Sequence, residues 1–181
     1  MIASIVIILV RLLVPFTIFR WPLGGALLAI AADASDVMTF ERFGYGFFDY
    51  FGTNTYHNLD KFFDTYYLFF ELLIARKWTS VLARRTAVSL FWLRFSGVIL
   101  FEITRVRWLF VLTPNIFENF YIFWTVVLKW FKNFKLTKTK LLLILIIVGV
   151  PKIVQEYLMH FKYVDQTWNF LRDTFFWWLY A

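Results

Sequence analysis

Four aspartates are the residues of this sequence whose type and spacing could do chemistry. Asp33 and Asp36 lie near the end of one apolar stretch, and Asp60 and Asp64 open a later one. Side chains three or four positions apart share one face of a helix. Two neighbouring helices would therefore present four carboxylates to one point. Carboxylates gathered in a low dielectric must bind a divalent cation, pair with arginine or hold protons.

The elements that must position these aspartates are membrane helices. The 181 residues are 61% hydrophobic and 23% aromatic, which is too apolar for a soluble domain and typical of a multi-pass membrane protein. We therefore predict an all-α fold, a polytopic membrane helical bundle that forms a single integral membrane domain over residues 1–181. By the rule of about 20 apolar residues per bilayer, about six transmembrane helices are expected at 2–19, 21–39, 59–75, 86–104, 108–128 and 141–158.

The second predicted span is rich in small residues, with Gly24, Gly25 and five alanines before position 35. Small residues let neighbouring backbones approach closely, so we expect this span to be the central helix of the bundle. The glycine-containing and aromatic stretch 40–58 then predicts a loop at the headgroup level, close over the aspartates.

Three helix-breaking residues predict irregularities in the last two spans. Pro114 should kink the fifth span, and Gly149 with Pro151 should interrupt the sixth. The polar residues of the fifth span share one helix face: Asn115, Glu118 and Asn119. We interpret this face as an interhelical polar clamp in preference to a catalytic group.

Charge and composition indicate lipid partners. The net charge of +7 comes from basic residues between apolar spans, including five lysines over 129–140. That arrangement predicts contact with the lipid bilayer and its anionic lipid, and no nucleic acid. Residues 164–178 predict a C-terminal amphipathic interfacial helix, either a membrane anchor or a docking helix for membrane-protein partners, and we prefer the anchor. The absence of cysteine excludes disulfides and thiolate metal sites.

Two arginines interrupt the apolar spans and are expected to act as counter-ions. Arg11 lies in the middle of the first span and Arg94 inside the fourth. Arg42, which follows the second span, is a third candidate counter-ion. The acids in or near spans are Asp33, Asp36, Asp60, Asp64, Glu71, Glu102 and Glu118. Because an isolated charge inside a membrane is costly, we expect Arg11 or Arg94 to contact at least one of these carboxylates.

The aspartate pairs resemble the motif of the CDP-alcohol phosphatidyltransferase family, D-x2-D-G-x2-A-R-x8-G-x3-D-x3-D. Here the first pair reads Asp33-Ala-Ser-Asp36 and the second Asp60-Lys-Phe-Phe-Asp64. An arginine followed by a proline in the first span is similar to the family's opening helix, and the resemblance covers roughly residues 5 to 75. It implies metal-dependent phosphotransfer in phospholipid synthesis, with Asp33, Asp36 and Asp60 as ligands of Mg²⁺ or Mn²⁺ and Asp64 as the base for the incoming alcohol.

Two other function classes stay open. Val37 and Glu41 stand where the family motif has glycine and arginine, which is typical of a chain that keeps the fold without the activity. Such a chain would be a non-catalytic structural or accessory subunit of a membrane complex. A pigment- or haem-binding subunit would need His57 and His160 as axial ligands, and neither lies in the middle of a span.

Overall fold

The computed structural model describes residues 2–43, 53–131 and 133–158 of the chain. These residues form helices and short connections and contain no β-strand, so the all-α prediction is confirmed. The helices, in chain order, are α1 (Ile2–Leu13), α2 (Thr17–Arg20), α3 (Pro22–Phe43), α4 (Thr53–Ala75), α5 (Val81–Thr104), α6 (Trp108–Leu112), α7 (Ile116–Trp130) and α8 (Lys138–Tyr157). A short 3-10 helix, Val14–Phe16, joins α1 to α2.

Within the part of the chain that the structure describes, two stretches are long and apolar enough to cross a membrane. They are α5 and the segment Trp108–Trp130, which comprises α6 and α7. The apolar part of α3, Pro22–Ser35, is shorter than a span. The described helices thus support membrane association by length and composition, and the number of six spans stays a prediction.

The chain divides into two compact units. Unit 1 comprises Met1–Thr79 and Tyr121–Asn133, and unit 2 comprises Ser80–Phe120 and Phe134–Ala181. The candidate chemistry belongs to unit 1, in which α3 contacts α1, α2 and α4. The small-residue helix is therefore the one against which the other described N-terminal helices pack.

The first predicted span, 2–19, is interrupted in its second half. Pro15 lies in the 3-10 helix that follows α1, because proline has no amide hydrogen for the helical ladder. The chain leaves α2 at Trp21, whose ψ is 82°, and Pro22 opens α3, a position where its fixed φ is favourable. A Cβ at Gly25 would lie 2.4 Å from the backbone nitrogen of Ile18, so glycine permits this close approach of α2 and α3.

The predicted boundaries of the loop over 40–58 were wrong at both ends. The helix α3 continues to Phe43 and α4 begins at Thr53. All three glycines of the predicted loop lie between these helix ends. The flanking aromatic, threonine and asparagine residues have modest helix propensity but do not break a helix, so both helices extend into the stretch predicted as a loop.

The prolines of the second half behave differently from one another. Pro114 lies in the break between α6 and α7, as predicted. The predicted interruption at Gly149 and Pro151 was wrong, because α8 runs through both residues. A proline inside a helix removes one backbone bond and bends the helix, and in apolar helices neighbouring groups can compensate for it.

Unit 2 is built on close contacts between α5 and the start of the next span. The helix α6 packs against α5 and α8. A Cβ at Gly97 would lie 1.7 Å from the Thr113 Oγ1 atom, so only glycine leaves room for Thr113 here. The rings of Phe91 and Phe117 meet edge to face with centroids 5.5 Å apart, which adds to the packing of α5 and α7 within this unit.

Candidate arginine and carboxylate site

Three of the four aspartates converge on one arginine in unit 1. The Nη1 atom of Arg11 donates a hydrogen bond to Asp60 Oδ1 at 2.5 Å. The Nη2 atom donates to Asp64 Oδ1 at 2.7 Å and also to Asp33 Oδ1. The helices α1, α3 and α4 each contribute to this cluster, which we call the Arg11 cluster (Arg11, Asp33, Asp60 and Asp64).

The arginine lies beneath the carboxylates. The Arg11 side chain is 3% exposed, whereas the three aspartate side chains are 32–40% exposed. The guanidinium carbon also lies 5.3 Å from the centroid of the buried Phe63 ring, a cation–π distance. Burial strengthens the hydrogen bonds of the guanidinium, while the outer sides of the carboxylates stay accessible.

Aromatic contacts hold α4 against the N-terminal helices. The Tyr66 hydroxyl donates to the Leu12 carbonyl oxygen at 3.3 Å. The Phe70 ring meets Tyr66 and Phe16 edge to face, with centroids 4.9 and 5.0 Å apart. These residues lie on α1, on α4 and on the 3-10 helix that follows α1, so their contacts restrict how far apart the Arg11 guanidinium and the carboxylates of α4 can lie.

The charges of the Arg11 cluster do not balance. Within these four residues, three carboxylates face one guanidinium, so the Arg11 cluster itself has a net charge of −2 when all three are ionised. Repulsion among carboxylates at such short range is strong in a low dielectric. A further cation would relieve it, and so would proton uptake.

The donor set fits a hard divalent cation. One carboxylate oxygen from each of Asp33, Asp60 and Asp64 lies within 4.8 Å of the other two. Octahedral Mg²⁺ with oxygen ligands at about 2.1 Å needs them about 3.0 Å apart when adjacent and about 4.2 Å when opposite. The three oxygens therefore reach that geometry with shifts of the order of one ångström. Carboxylate oxygens are also the ligand type that Mg²⁺ and Mn²⁺ prefer.

The other predicted site residues are either in unit 2 or outside the described side chains. Arg94 lies in unit 2, away from the Arg11 cluster in the sequence and in a different packing unit. Asp36 and Arg42 belong to the α3 backbone, but their side chains lie outside the described part. The other predictions outside the described side chains or residues concern His57, His160 and the interfacial helix 164–178.

Arg94 pairs with an acid that the sequence analysis did not single out. Its Nη1 atom lies 3.7 Å from Glu156 Oε1 and donates to the Thr113 carbonyl oxygen at 3.2 Å. The guanidinium carbon lies 5.0 Å from the Phe110 ring centroid. A signal was present in the sequence, because Glu156 follows Gly149 by two helical turns and so shares its packed face.

The polar residues after Pro114 make the contacts of a clamp. The Asn115 Nδ2 atom donates to Glu118 Oε2 at 2.7 Å, and both residues are buried. The Asn119 Nδ2 atom donates to the Val148 carbonyl oxygen at 3.3 Å. The second bond links α7 to α8 within unit 2, as the clamp interpretation predicts.

Comparisons with protein-family models, with curated proteins and with solved structures find no match to this chain.

Proposed function

We propose that this chain is a multi-pass integral membrane protein that binds a divalent cation at its aspartates and catalyses phosphotransfer of the CDP-alcohol phosphatidyltransferase type. One observation carries the proposal. Carboxylate oxygens from both motif pairs, those of Asp33, Asp60 and Asp64, come within 4.8 Å of one another, although Asp33 and the other two belong to different helices. The resemblance in the sequence requires that convergence.

Each residue of the cluster has a role in this proposal. Asp33 and Asp60 hold the cation, with Asp36 as a third ligand implied by the motif. A bound Mg²⁺ or Mn²⁺ would neutralise charge on the diphosphate of the donor. Asp64 accepts the proton of the incoming alcohol. Arg11 is a positioning residue, since its buried guanidinium bonds to all three carboxylates from below.

Enzymatic assay of the full chain tests the proposal. The purified protein in lipid vesicles, supplied with a CDP-linked lipid, an alcohol acceptor and Mg²⁺ or Mn²⁺, should release CMP. Asp64→Asn should abolish CMP release but leave Mn²⁺ bound through Asp33 and Asp60, although more weakly, as measured by electron paramagnetic resonance. Asp60→Asn should abolish both. Ser35→Ala, an exposed change on α3 two residues from Asp33, is the control and should leave both unchanged.

A second candidate function rests on the same hydrogen bonds. Arg11 already bonds to Asp33, Asp60 and Asp64, so the cluster could act as a structural joint of α1, α3 and α4 in a non-catalytic accessory subunit. The two functions differ in a measurable way. A structural joint predicts that the wild-type protein neither binds Mn²⁺ nor releases CMP, while Asp60→Asn still lowers its thermal stability. Absence of CMP release with Mn²⁺ bound would reject catalysis and leave cation binding.

A further inference from the structure

The outward side of α8 is apolar and exposed. Leu143, Ile147 and Val150 are 55%, 69% and 53% exposed, and their spacing of four and three residues places them in one stripe along the helix. A stripe of large aliphatic side chains of this length is unfavourable in contact with water. The stripe therefore requires an apolar partner that shields it from water. The residues at the start of α8 indicate the chemistry of that partner.

Lysines cluster where α8 begins. Lys138 and Lys140 belong to the first turn of the helix, and Lys135 precedes it by three residues. Cations in the first turn of a helix are unfavourable, because the helix dipole places positive charge there. An anionic partner would offset this repulsion.

The lysine charge has no acidic residue nearby in the chain. Residues 119–155 contain six lysines and neither aspartate nor glutamate. The described contacts of the Lys140 Nζ atom are the Phe134 ring, 4.9 Å from its centroid, and the Lys135 carbonyl oxygen at 3.4 Å. The lysines of residues 134–140 thus form a local positive surface bordered by an aromatic ring, a composition typical of the membrane interface.

We propose that residues 134–140 and the outward side of α8 bind anionic phospholipid. The ammonium groups of Lys135, Lys138 and Lys140 contact headgroup phosphates, and the stripe through Leu143 and Ile147 contacts the acyl chains. The positive charge of the lysines favours an anionic headgroup. A soluble phosphate would contact the lysines alone, whereas a phospholipid also contacts the adjoining apolar stripe, so the stripe favours a lipid. This inference does not depend on the proposed enzymatic activity, since it concerns a different unit and a different ligand contact.

Lipid-dependent stability of the full chain in detergent tests this surface. Phosphatidylglycerol added to the micelles should raise the midpoint of thermal unfolding, and phosphatidylcholine should raise it less. Native mass spectrometry should detect phosphatidylglycerol retained on the protein. Replacing all three lysines by glutamine should weaken phosphatidylglycerol binding by about fivefold per lysine removed. Added salt should weaken binding to the wild type.

Two control variants show whether a loss of phosphatidylglycerol binding is specific to the lysines of residues 134–140. Lys152→Gln removes one charge from the same helix, about 18 Å from Lys140 along its axis, and should keep the phosphatidylglycerol effect. Circular dichroism checks that the triple variant folds, and the single variant Lys138→Gln, at an exposed position, repeats the test with a smaller perturbation. Equal effects of the two lipids, or unchanged binding in both lysine variants, would overturn the proposal. An equal stabilisation by inorganic phosphate would show a soluble-anion site instead and would also overturn it.

Discussion

Gly25 in α3 lies directly against the backbone of Ile18 in α2. A Cβ atom at position 25 would approach the Ile18 nitrogen to 2.4 Å and its Cα atom to 2.6 Å. The contact fixes the separation of these two helices, and α3 carries Asp33 two turns further on. The small-residue pattern thus has a direct consequence for the position of a carboxylate in the Arg11 cluster.

Gly25→Ala should destabilise the protein. The added methyl group meets backbone atoms, which cannot rotate away as a side chain can, so α2 and α3 must separate. Overpacking of this kind costs about 1–3 kcal/mol. The midpoint of thermal unfolding in detergent measures the effect. The matched control is Gly24→Ala, where the nearest atom to the new Cβ would be 3.6 Å away, so its stability should stay the same or rise slightly. Equal effects of the two changes would contradict the close approach at Gly25.

Arg11→Gln should strongly destabilise unit 1. The change leaves three carboxylates together without their guanidinium, and removal of one partner from a buried ion pair costs about 3–5 kcal/mol. Because the aspartates are about a third exposed, water screens part of their repulsion, and we expect the lower end of that range. Equilibrium unfolding in mixed micelles measures the loss.

The control for Arg11 is another arginine of the same unit. Arg20 is exposed at the end of α2, so Arg20→Gln should change the free energy of unfolding by about 0.5 kcal/mol or less. A comparable loss of unfolding free energy in both variants would mean that the net charge of the protein determines its stability, and that the contacts of the Arg11 cluster do not.

The spacing of the aspartates was enough to predict much of the site. The positions of Asp33, Asp60 and Asp64 on helix faces, together with a mid-span arginine, predicted a shared polar point, and the structure places these residues within hydrogen-bonding distance of Arg11. Charge in an apolar stretch has few ways to be satisfied, so the sequence restricts its partners strongly.

Partners that depend on tertiary packing could not be predicted in the same way. The sequence offers Arg94 several acids, and only the packing of α5 and α8 in unit 2 selects Glu156. The helical course of α8 through Pro151 likewise depends on its surroundings, since local propensity disfavours proline there. Apolar runs predicted spans, but they did not locate the break at Pro15.

Glu156→Gln should destabilise unit 2 more than a matched change at an exposed pair. The Glu156 side chain is 8% exposed beside Arg94, and its loss leaves a largely buried guanidinium with less compensation. The control is Glu102→Gln, because Glu102 pairs with the more exposed Arg105 at 2.7 Å, and exposed pairs contribute about 0–1 kcal/mol. The two thermal midpoints should therefore differ clearly, with Glu156→Gln lower. A Glu102→Gln midpoint at or below that of Glu156→Gln would be the opposite result.

The double variant Arg11→Gln/Asp64→Asn should recover part of the stability that Arg11→Gln loses. Removing the guanidinium leaves three mutually repelling carboxylates, and removing one of them relieves two of the three repulsions. Contacting charges couple by about 0.5–3 kcal/mol in such cycles, so the double variant should be more stable than the sum of the single changes predicts. Unfolding free energies of the wild type, both single variants and the double variant measure the coupling. Mn²⁺ should also stabilise Arg11→Gln if the aspartates bind a cation, because the ion then replaces the missing positive charge. Strictly additive losses would show that Arg11 and Asp64 do not interact energetically. Stabilisation of the wild type by Mn²⁺, as well as of Arg11→Gln, would distinguish a cation site from a purely structural ion-pair joint.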